Sequence, residues 1–223
     1  PSAQVKSAIL LAGLYASGRT LVIEPTPTRD HTERMLAAFG VPVERDGAKI
    51  AIRGPAMLRG CRIEVPGDFS SAAFFIVAGL IAGAATLLIR GVGINPSRIG
   101  LLEILRLMGA DIRLHGPRDC GGEPVADLEV RPGPLRGIAV PHELVASAID
   151  EFPVLFAAAA VAEGETVVTG AAELRVKESD RIAVMADGLE RVGVHAEVLP
   201  DGMRIRGGAV GGGVVESRGD HRI

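Results

Sequence analysis

One pattern occurs three times in this sequence and limits how the chain can fold. In each copy a predicted helix ends with a leucine and, four positions later, a glycine: Leu36 and Gly40, Leu105 and Gly109, Leu189 and Gly193. Glycine at this place is typical of a left-handed helix C-cap. Predicted strands precede and follow each of these helices along the chain. If a strand before the first helix of each copy is included, the predicted order is βαβαββ, repeated every 70 to 85 residues, roughly. A period this long describes compact α+β subdomains with α/β-like repeats, in which helices cover a sheet, and not a thin solenoid.

Composition indicates the type of core, the partners that are disfavoured and the cellular compartment. The chain is 48% hydrophobic but only 3% aromatic, so the core must be aliphatic. A net charge of −3 argues against nucleic acid or an anionic membrane as the main partner. The two cysteines, Cys61 and Cys120, form no metal or redox motif and fit a reducing compartment such as the cytoplasm.

The apolar N-terminal stretch allows two interpretations. Residues 8–16 resemble the core of a signal peptide, but the run is short and reads equally well as a buried helix that ends at Gly18. We favour the core helix. No segment is predicted to be long and apolar enough to span a bilayer.

Capping and turn residues place the individual elements. Asp30 and Glu33 have the spacing of a capping box, and Asp46-Gly47 is a hairpin turn. The predicted helices cover residues 2–16, 30–39, 70–80, 96–108, 153–162 and 182–192. The predicted strands cover residues 20–23, 41–44, 49–53, 86–89 and 164–168. The turn at residues 66–68 divides the chain into domains 1–65 and 66–223, and the glycine-rich residues 207–213 are predicted to be a loop.

The most highly charged segment runs from Arg175 to Arg181 and holds five charges in seven residues. Its simplest interpretation is a solvated helix start, capped by Ser179 or Asp180. The alternative is an anion pocket, because Lys177 and Arg181 can project to one side of a helix N-terminus, which itself favours anions. Glu178, between the two cations, is the candidate acid there.

Four further polar clusters lie at or near predicted helix starts or the chain end. Ser2-Ala3-Gln4 offers a hydroxyl, an amide and free N–H groups to a phosphate, although an N-cap serine is common. Arg29 lies beside a predicted helix start, and for this cluster by itself we favour a capped, exposed helix start over a binding site. Asp150, between a strand-like segment and an apolar helix, is either a complement to the helix dipole or a general base. Residues 219–223 add Arg222.

These strings together resemble the family of 5-enolpyruvylshikimate-3-phosphate synthases. The similar segments are Ser-Ala-Gln-Val-Lys-Ser-Ala near the start, Asp-Glu-Phe-Pro from Asp150, Lys-Glu-Ser-Asp-Arg from Lys177 and Asp-His-Arg-Ile at the end. The similarity runs in register over essentially all 223 residues. It implies the enolpyruvyl transferase fold, with βαβαββ subdomains around a pseudo-threefold. It also implies transfer of the enolpyruvyl group of phosphoenolpyruvate to the 5-hydroxyl of shikimate 3-phosphate, with release of phosphate.

The resemblance also implies a role for each site residue. Asp150 accepts the hydroxyl proton, Glu178 protonates the methylene carbon, and Lys177 bridges the two substrates. Shikimate 3-phosphate is held by Ser2, Ala3, Gln4, Arg29, Asp150 and Lys177, and phosphoenolpyruvate by Gln4, Arg181 and Arg222. No metal or organic cofactor is implied, and the enzyme is expected to be a cytoplasmic monomer in aromatic amino acid biosynthesis, without nucleic acid or membrane partners.

Departures from the family pattern leave alternatives open. Ala3 replaces a second serine of many members, and the family's opening Lys-Ser and Arg motif, its Gly-Asn-Ala-Gly loop and its C-terminal lysine have no counterpart here. We therefore expect a fragment that is inactive by itself. Two other hypotheses are the sibling transferase that uses UDP-N-acetylglucosamine and a non-catalytic anion-binding fragment of the same fold.

Overall fold

The computed structural model describes residues 2–82 and 85–223 and contains three similar units. Each unit has two helices and one antiparallel sheet of three strands, in which the third strand lies between the first and the second. The helices are α1 (Ala3–Gly13), α2 (His31–Ala38), α3 (Phe69–Ile81), α4 (Gly100–Leu107), α5 (His142–Ala148), α6 (Phe152–Val161) and α7 (Arg181–Arg191). The strands are β1 (Gly18–Ile23), β2 (Glu44–Asp46), β3 (Lys49–Gly54), β4 (Leu87–Gly93), β5 (Asp111–Cys120), β6 (Glu123–Arg131), β7 (Glu165–Val168), β8 (His195–Leu199) and β9 (Gly202–Arg206).

Unit one runs from α1 to β3, unit two from α3 to β6, and unit three from α6 to β9. Helix α5 and a 3₁₀ turn, Ile149–Glu151, join units two and three. Among the described residues, the strand predicted before the first helix of a unit is replaced by isolated parallel bridges. These pair Gly67 with Val92 in unit two, and Arg136 with Glu163 and Ala139 with Val167 in unit three. The α+β repeat is therefore confirmed, with this fourth strand reduced to single residue pairs.

The predicted glycine caps end the second helix of every unit. Gly40 has φ of 85° and its N–H donates to Ala37, while the N–H of Val41 reaches back to Leu36. Gly109 and Gly193 repeat this geometry, with Ala110 bonded to Leu105 and Val194 bonded to Leu189. The two bonds form a Schellman motif, which satisfies carbonyls that the helix itself leaves free. The leucine-to-glycine spacing thus records a shared helix ending, as predicted.

The core is aliphatic, as the composition predicts, and is divided into two clusters. Units two and three share the larger cluster, in which α6 packs against α3 and α7 with nearly all of its side chains buried. Unit one has its own smaller cluster around Leu10, Leu36 and Ile52. The site residues at the helix starts are therefore held by helices whose other faces are fixed in these cores.

The predicted capping box at the start of α2 is wrong. The Asp30 side chain makes no capping bond; one of its oxygens accepts from Arg34 at 3.0 Å and from Asn95 at 2.7 Å. Glu33 instead pairs with the buried Lys6 at 2.8 Å. These carboxylates are bound by Arg34 of the same helix and by Lys6 and Asn95 from elsewhere in the chain, and a stronger charge-assisted bond outcompetes a backbone N–H.

The segment before Asp150 and the membrane expectation also need correction. That segment is α5 and not a strand. The acidic pair therefore lies inside a continuous helical stretch of 20 residues, His142–Val161. By length and composition alone this helical stretch, with a mean hydropathy of 1.8, is long and apolar enough to cross a membrane. The sequence prediction that no segment meets this test is therefore wrong. In the fold, 67% of the most apolar window of this stretch is buried inside the protein, as in a core helix.

We expect Gly109→Ala to destabilise the chain by about 1 kcal/mol, because a Cβ is disfavoured at φ of 96° even though the space around it is open. Urea unfolding followed by circular dichroism measures this. Gly60→Ala is the matched control, since Gly60 has no positive φ and no atom within 4 Å of an added Cβ. Equal stability of the two variants would contradict the assigned role of the cap.

Candidate active site

A cavity of about 740 Å³ collects side chains that are far apart in the sequence. It lies where the starts of α1 and α2 in unit one face α5 and the segment before α7 in unit three. The predicted site residues that line it are Ser2, Ala3, Gln4, Arg29, Lys177 and Glu178. The first turn of α1 leaves backbone N–H groups unpaired at this cavity, with the Ser2 side chain as N-cap to Val5. The cavity therefore offers anion-binding groups on two sides.

Asp150 stands next to this cavity and is bonded to cations from all three units. Its carboxylate lies 3.0 Å from Arg29, 3.4 Å from Arg98 and 3.4 Å from Lys177. Burial would raise the pKa of the Asp150 carboxyl, but the charges of Lys177, Arg29 and Arg98 outweigh burial and the pKa lies below its ordinary value. Without a ligand, Asp150 is thus an ionised acceptor with reduced basicity.

Lys177 and Glu178 follow a short 3₁₀ helix, Ala172–Val176, and precede α7. The Lys177 ammonium lies 2.5 Å from Glu173 as well as near Asp150, and the Glu178 carboxylate lies 2.5 Å from Arg181. Of the two capping residues proposed from the sequence, Asp180 is the N-cap of α7, because its side chain accepts from the Ala183 N–H. The helix start is therefore capped, as the first interpretation expects. Of the charges in this segment, Lys177 and Glu178 line the cavity and Arg181 does not, so the anion pocket stays a prediction.

Arg181 is buried, and Asp220 holds it in place. Its Nε and Nη2 atoms donate to the two Asp220 oxygens at 2.9 and 3.2 Å, and Ser179 donates to the same carboxylate at 2.9 Å. Burial would raise the pKa of Asp220, but these bonds and the Arg222 N–H lower it to about 2. Because Arg181 does not line the cavity, its predicted contact with phosphoenolpyruvate stays a prediction.

Arg222 is half-buried and also lies outside the cavity lining. Its backbone N–H donates to Asp220 at 3.0 Å. Burial raises the pKa of the nearby Glu151 carboxyl, and the charge of Arg222 opposes part of that rise. The predicted cation pair Arg181 and Arg222 is therefore gathered around Asp220, while Ser2, Gln4, Arg29 and Lys177 are gathered around the cavity. Within residues 2–82 and 85–223 no group of His, Cys, Asp and Glu side chains is arranged to hold a metal ion.

Sequence reasoning did not assign three residues next to Asp150, namely Ser70, Arg98 and Glu151. Arg98 carried one usable signal, since Arg29, Arg98 and Arg181 occupy similar places at the second helix of each unit. Ser70 and Glu151 gave none, because a serine in the first turn of a helix and an acid before a helix are both common.

The three repeated units and their shared strand order are those of the enolpyruvyl transferase fold. The structure of the enolpyruvyl transferase NikO from Streptomyces tendae is similar with a TM-score of 0.69 and 23% identity, over 89% of this chain and 44% of that one. At this identity the likeness shows the fold alone. The enolpyruvyl transferase fold expected from the resemblance is thereby confirmed.

The family model described as EPSP synthase (3-phosphoshikimate 1-carboxyvinyltransferase) matches residues 1–223, so the chain belongs to that family. It is 65% identical to the 3-phosphoshikimate 1-carboxyvinyltransferase of Alkalilimnicola ehrlichii, over 100% of this chain and 50% of that relative. The corresponding protein of Methylococcus capsulatus is 62% identical over 100% and 51%. The EPSP synthase structure from Acinetobacter baumannii has a TM-score of 0.95 and 54% identity, over 100% and 52%. The chain spans about half the length of the curated relatives it matches.

We expect Asp220→Asn to remove a pH-dependent part of the stability. A carboxyl whose pKa falls from 3.8 to about 2 on folding contributes stability above pH 4, which is lost as the pH falls through about 2. That contribution is about 2 kcal/mol, and the variant also removes the buried one of the two carboxylate partners of Arg181, a loss of about 3 kcal/mol or more at neutral pH.

Urea unfolding by circular dichroism at pH 7, 4 and 2 tests this, since the chain lacks tryptophan. The exposed Asp46, at the β2–β3 turn, supplies the control Asp46→Asn. If Asp220→Asn and Asp46→Asn change equally with pH, the buried pair does not contribute as described.

Proposed function

We propose that this chain carries part of an active site that transfers the enolpyruvyl group of phosphoenolpyruvate to the 5-hydroxyl of shikimate 3-phosphate, with release of phosphate. The observation that carries the proposal is Asp150, a half-buried carboxylate bonded to three cations beside a cavity lined by groups suited to bind phosphate. Membership of the EPSP synthase family supports the choice of substrates.

Binding begins with the anionic groups of both substrates. The N-terminus of α1, with Ser2, Ala3 and Gln4, and the Arg29 guanidinium would hold shikimate 3-phosphate, because unpaired N–H groups at a helix N-terminus and a fixed cation favour phosphate. Lys177 would bridge the two substrates from the other side of the cavity. Gln4, Arg181 and Arg222 would hold phosphoenolpyruvate once the Arg181 contact with Glu178 is exchanged for the substrate.

Proton transfer then divides between two carboxyl groups. Asp150 accepts the proton of the attacking 5-hydroxyl while the oxygen of that hydroxyl bonds to C2 of phosphoenolpyruvate. Glu178 delivers a proton to the C3 methylene. Phosphate then leaves the tetrahedral adduct with the proton that Asp150 took up, and one methyl proton returns to the Glu178 carboxylate, which restores the C=C bond. When Arg29 and Lys177 turn to substrate anions, less positive charge acts on Asp150 and its basicity rises. The fixed cations supply orientation and charge stabilisation.

We further propose a division into residues 1–65 and 66–223, supported by the separate cores of unit one and of units two and three. The protein would act as a cytoplasmic monomer that needs no nucleic acid or membrane. Transfer to UDP-N-acetylglucosamine and anion binding without catalysis are the two alternatives, and both are outcomes of the following test.

We expect Asp150→Asn, in the full-length protein that contains this chain, to lower kcat for phosphate release by roughly 100-fold or more while substrate binding is largely kept, since the amide keeps the shape but not the basicity. Asp187→Asn is the control, because Asp187 is an exposed partner of Arg191 on α7. Turnover with UDP-N-acetylglucosamine in place of shikimate 3-phosphate would favour the sibling reaction. Binding of both substrates without turnover by the unmodified protein would favour the non-catalytic alternative.

We expect Arg222→Ala to weaken phosphoenolpyruvate binding by about 10- to 100-fold, the loss of one charge-assisted contact worth about 1.5–3 kcal/mol. Arg222 is a better probe than Arg181, whose removal also leaves Asp220 buried without its partner. Calorimetry of each substrate separately, with the exposed Arg206→Ala as control, measures the change. A selective loss of shikimate 3-phosphate binding would show that the assignment of Arg222 is wrong.

A further inference from the structure

Three side chains close to Asp150 take no part in the steps above. Ser70 belongs to the first turn of α3, Arg98 to the turn before α4, and Glu151 to the 3₁₀ turn before α6. None of the three lines the 740 Å³ cavity. The helix starts of units two and three therefore meet at one buried polar group, defined here as the Ser70–Arg98–Glu151 cluster.

The contacts of the cluster lead from a buried carboxyl to Asp150. The Ser70 hydroxyl donates to Glu151 Oε1 at 2.5 Å and accepts a hydrogen bond from Arg98 Nη2, which also lies 3.5 Å from Oε1. Arg98 Nη1 reaches Asp150 Oδ2 at 3.4 Å. The guanidinium is thus held on one side by Ser70 and Glu151 and presents its other edge to Asp150.

Burial separates Arg98 from the other two cations around Asp150. The Arg98 side chain is 11% exposed, against 44% for Arg29 and 21% for Lys177. Its backbone is also fixed, because the Arg98 N–H donates to the carbonyl of the buried Asn95 at 2.8 Å. Arg29 and Lys177 line the cavity and are free to turn to a ligand, whereas Arg98 does not line it.

Glu151 is costly to bury, and its contacts do not offset that cost fully. Its side chain is 0% exposed and its Oε2 atom has no hydrogen-bond partner among the described residues. Burial raises the pKa of this carboxyl, against the opposing charge of Arg98 and the bond from Ser70. A buried carboxyl with one unpaired oxygen is destabilising. Its presence therefore points to a role other than stabilising the fold.

We propose that Ser70 and Glu151 are positioning residues that fix the Arg98 guanidinium, and that Arg98 in turn orients the Asp150 carboxylate and keeps one positive charge beside it throughout the reaction. This proposal rests on the proposed function, in which Asp150 is the base. When Arg29 and Lys177 bind substrate anions, Arg98 is the cation that stays with Asp150. It keeps the carboxylate ionised and ready to accept a proton, instead of protonated and inactive.

The test measures Asp150 in two ways, with Arg98→Gln, Arg98→Lys and the control Arg106→Gln. Arg106 pairs with Glu103 on α4, outside the cluster. Carboxyl-carbon NMR of this chain follows the titration of Asp150, and kinetics of the full-length protein give kcat and KM against pH. The charged groups that face the cluster and Asp150 are Arg29, Asp68, Lys177 and Arg222.

For Arg98→Gln we expect the Asp150 titration, and the acidic limb of kcat, to move up by about 1 pH unit. We also expect kcat at neutral pH to fall about 10-fold or more with KM changed less than about 3-fold, since the carboxylate is misplaced but the substrate sites are kept. Arg98→Lys should restore most of the titration and part of kcat, and Arg106→Gln should change neither. A purely structural Arg98 would lower stability and leave the titration and the pH profile in place, and that result would overturn the proposal.

Ser70→Ala keeps the charges of Arg98 and Glu151, and it tests the proposal if Arg98→Gln does not fold. It should lower kcat at least about 3-fold with KM unchanged, because the guanidinium loses one of its supports. Unchanged kcat in folded Ser70→Ala would also overturn the proposal. If the unmodified full-length protein releases no phosphate from the two substrates, the proposed function fails, and the NMR titration alone then decides whether Arg98 controls Asp150.

Discussion

The Asp150 carboxylate forms ion pairs with one cation from each of the three units of the chain. Arg29 comes from unit one and lies 121 residues away in sequence, Arg98 comes from unit two, and Lys177 comes from unit three. A partly buried anion needs such partners, because an unpaired charge is expensive to remove from water. The same bonds bring the starts of several helices to one place. The cavity therefore depends on this carboxylate, since without it three cations would repel one another across the site.

The repeat explains why cations are available at that place. Arg29, Arg98 and Arg181 precede or begin the second helix of their units, so each lies at a helix start, where the chain enters from the sheet. Yet the partners differ: Arg29 and Arg98 bind Asp150, whereas Arg181 is enclosed by Asp220 and Glu178. The fold supplies equivalent positions, and the sequence of each unit then gives those positions different tasks.

Local features of the fold could be predicted from the sequence, and long-range pairing could not. The Schellman endings at Gly40, Gly109 and Gly193 and the Asp180 cap depend on residues within one helical turn or so, which a sequence displays directly. The Asp30 capping box failed because Asn95, 65 residues away, binds that carboxylate instead. The bond between Arg98 and Asp150, 52 residues apart, and the burial of Glu151 depend on how α3, α4 and α6 pack. Site residues carried by motifs could thus be proposed, but the side chains behind them could not.

Two adjacent carboxyl groups, Asp150 and Glu151, show how packing separates chemistry that sequence places side by side. Both belong to one 3₁₀ turn, yet the pKa of Asp150 is lowered by the cations around it and that of Glu151 is raised by burial. Arg98 lies between them and contacts both. Neighbouring carboxyls with pKa values shifted in opposite directions can hold different protonation states at one pH, which is how paired acids acquire different roles. In the proposed mechanism the turn therefore directs the Asp150 carboxylate toward substrate, and Glu151 holds the Arg98 cation that keeps Asp150 ionised.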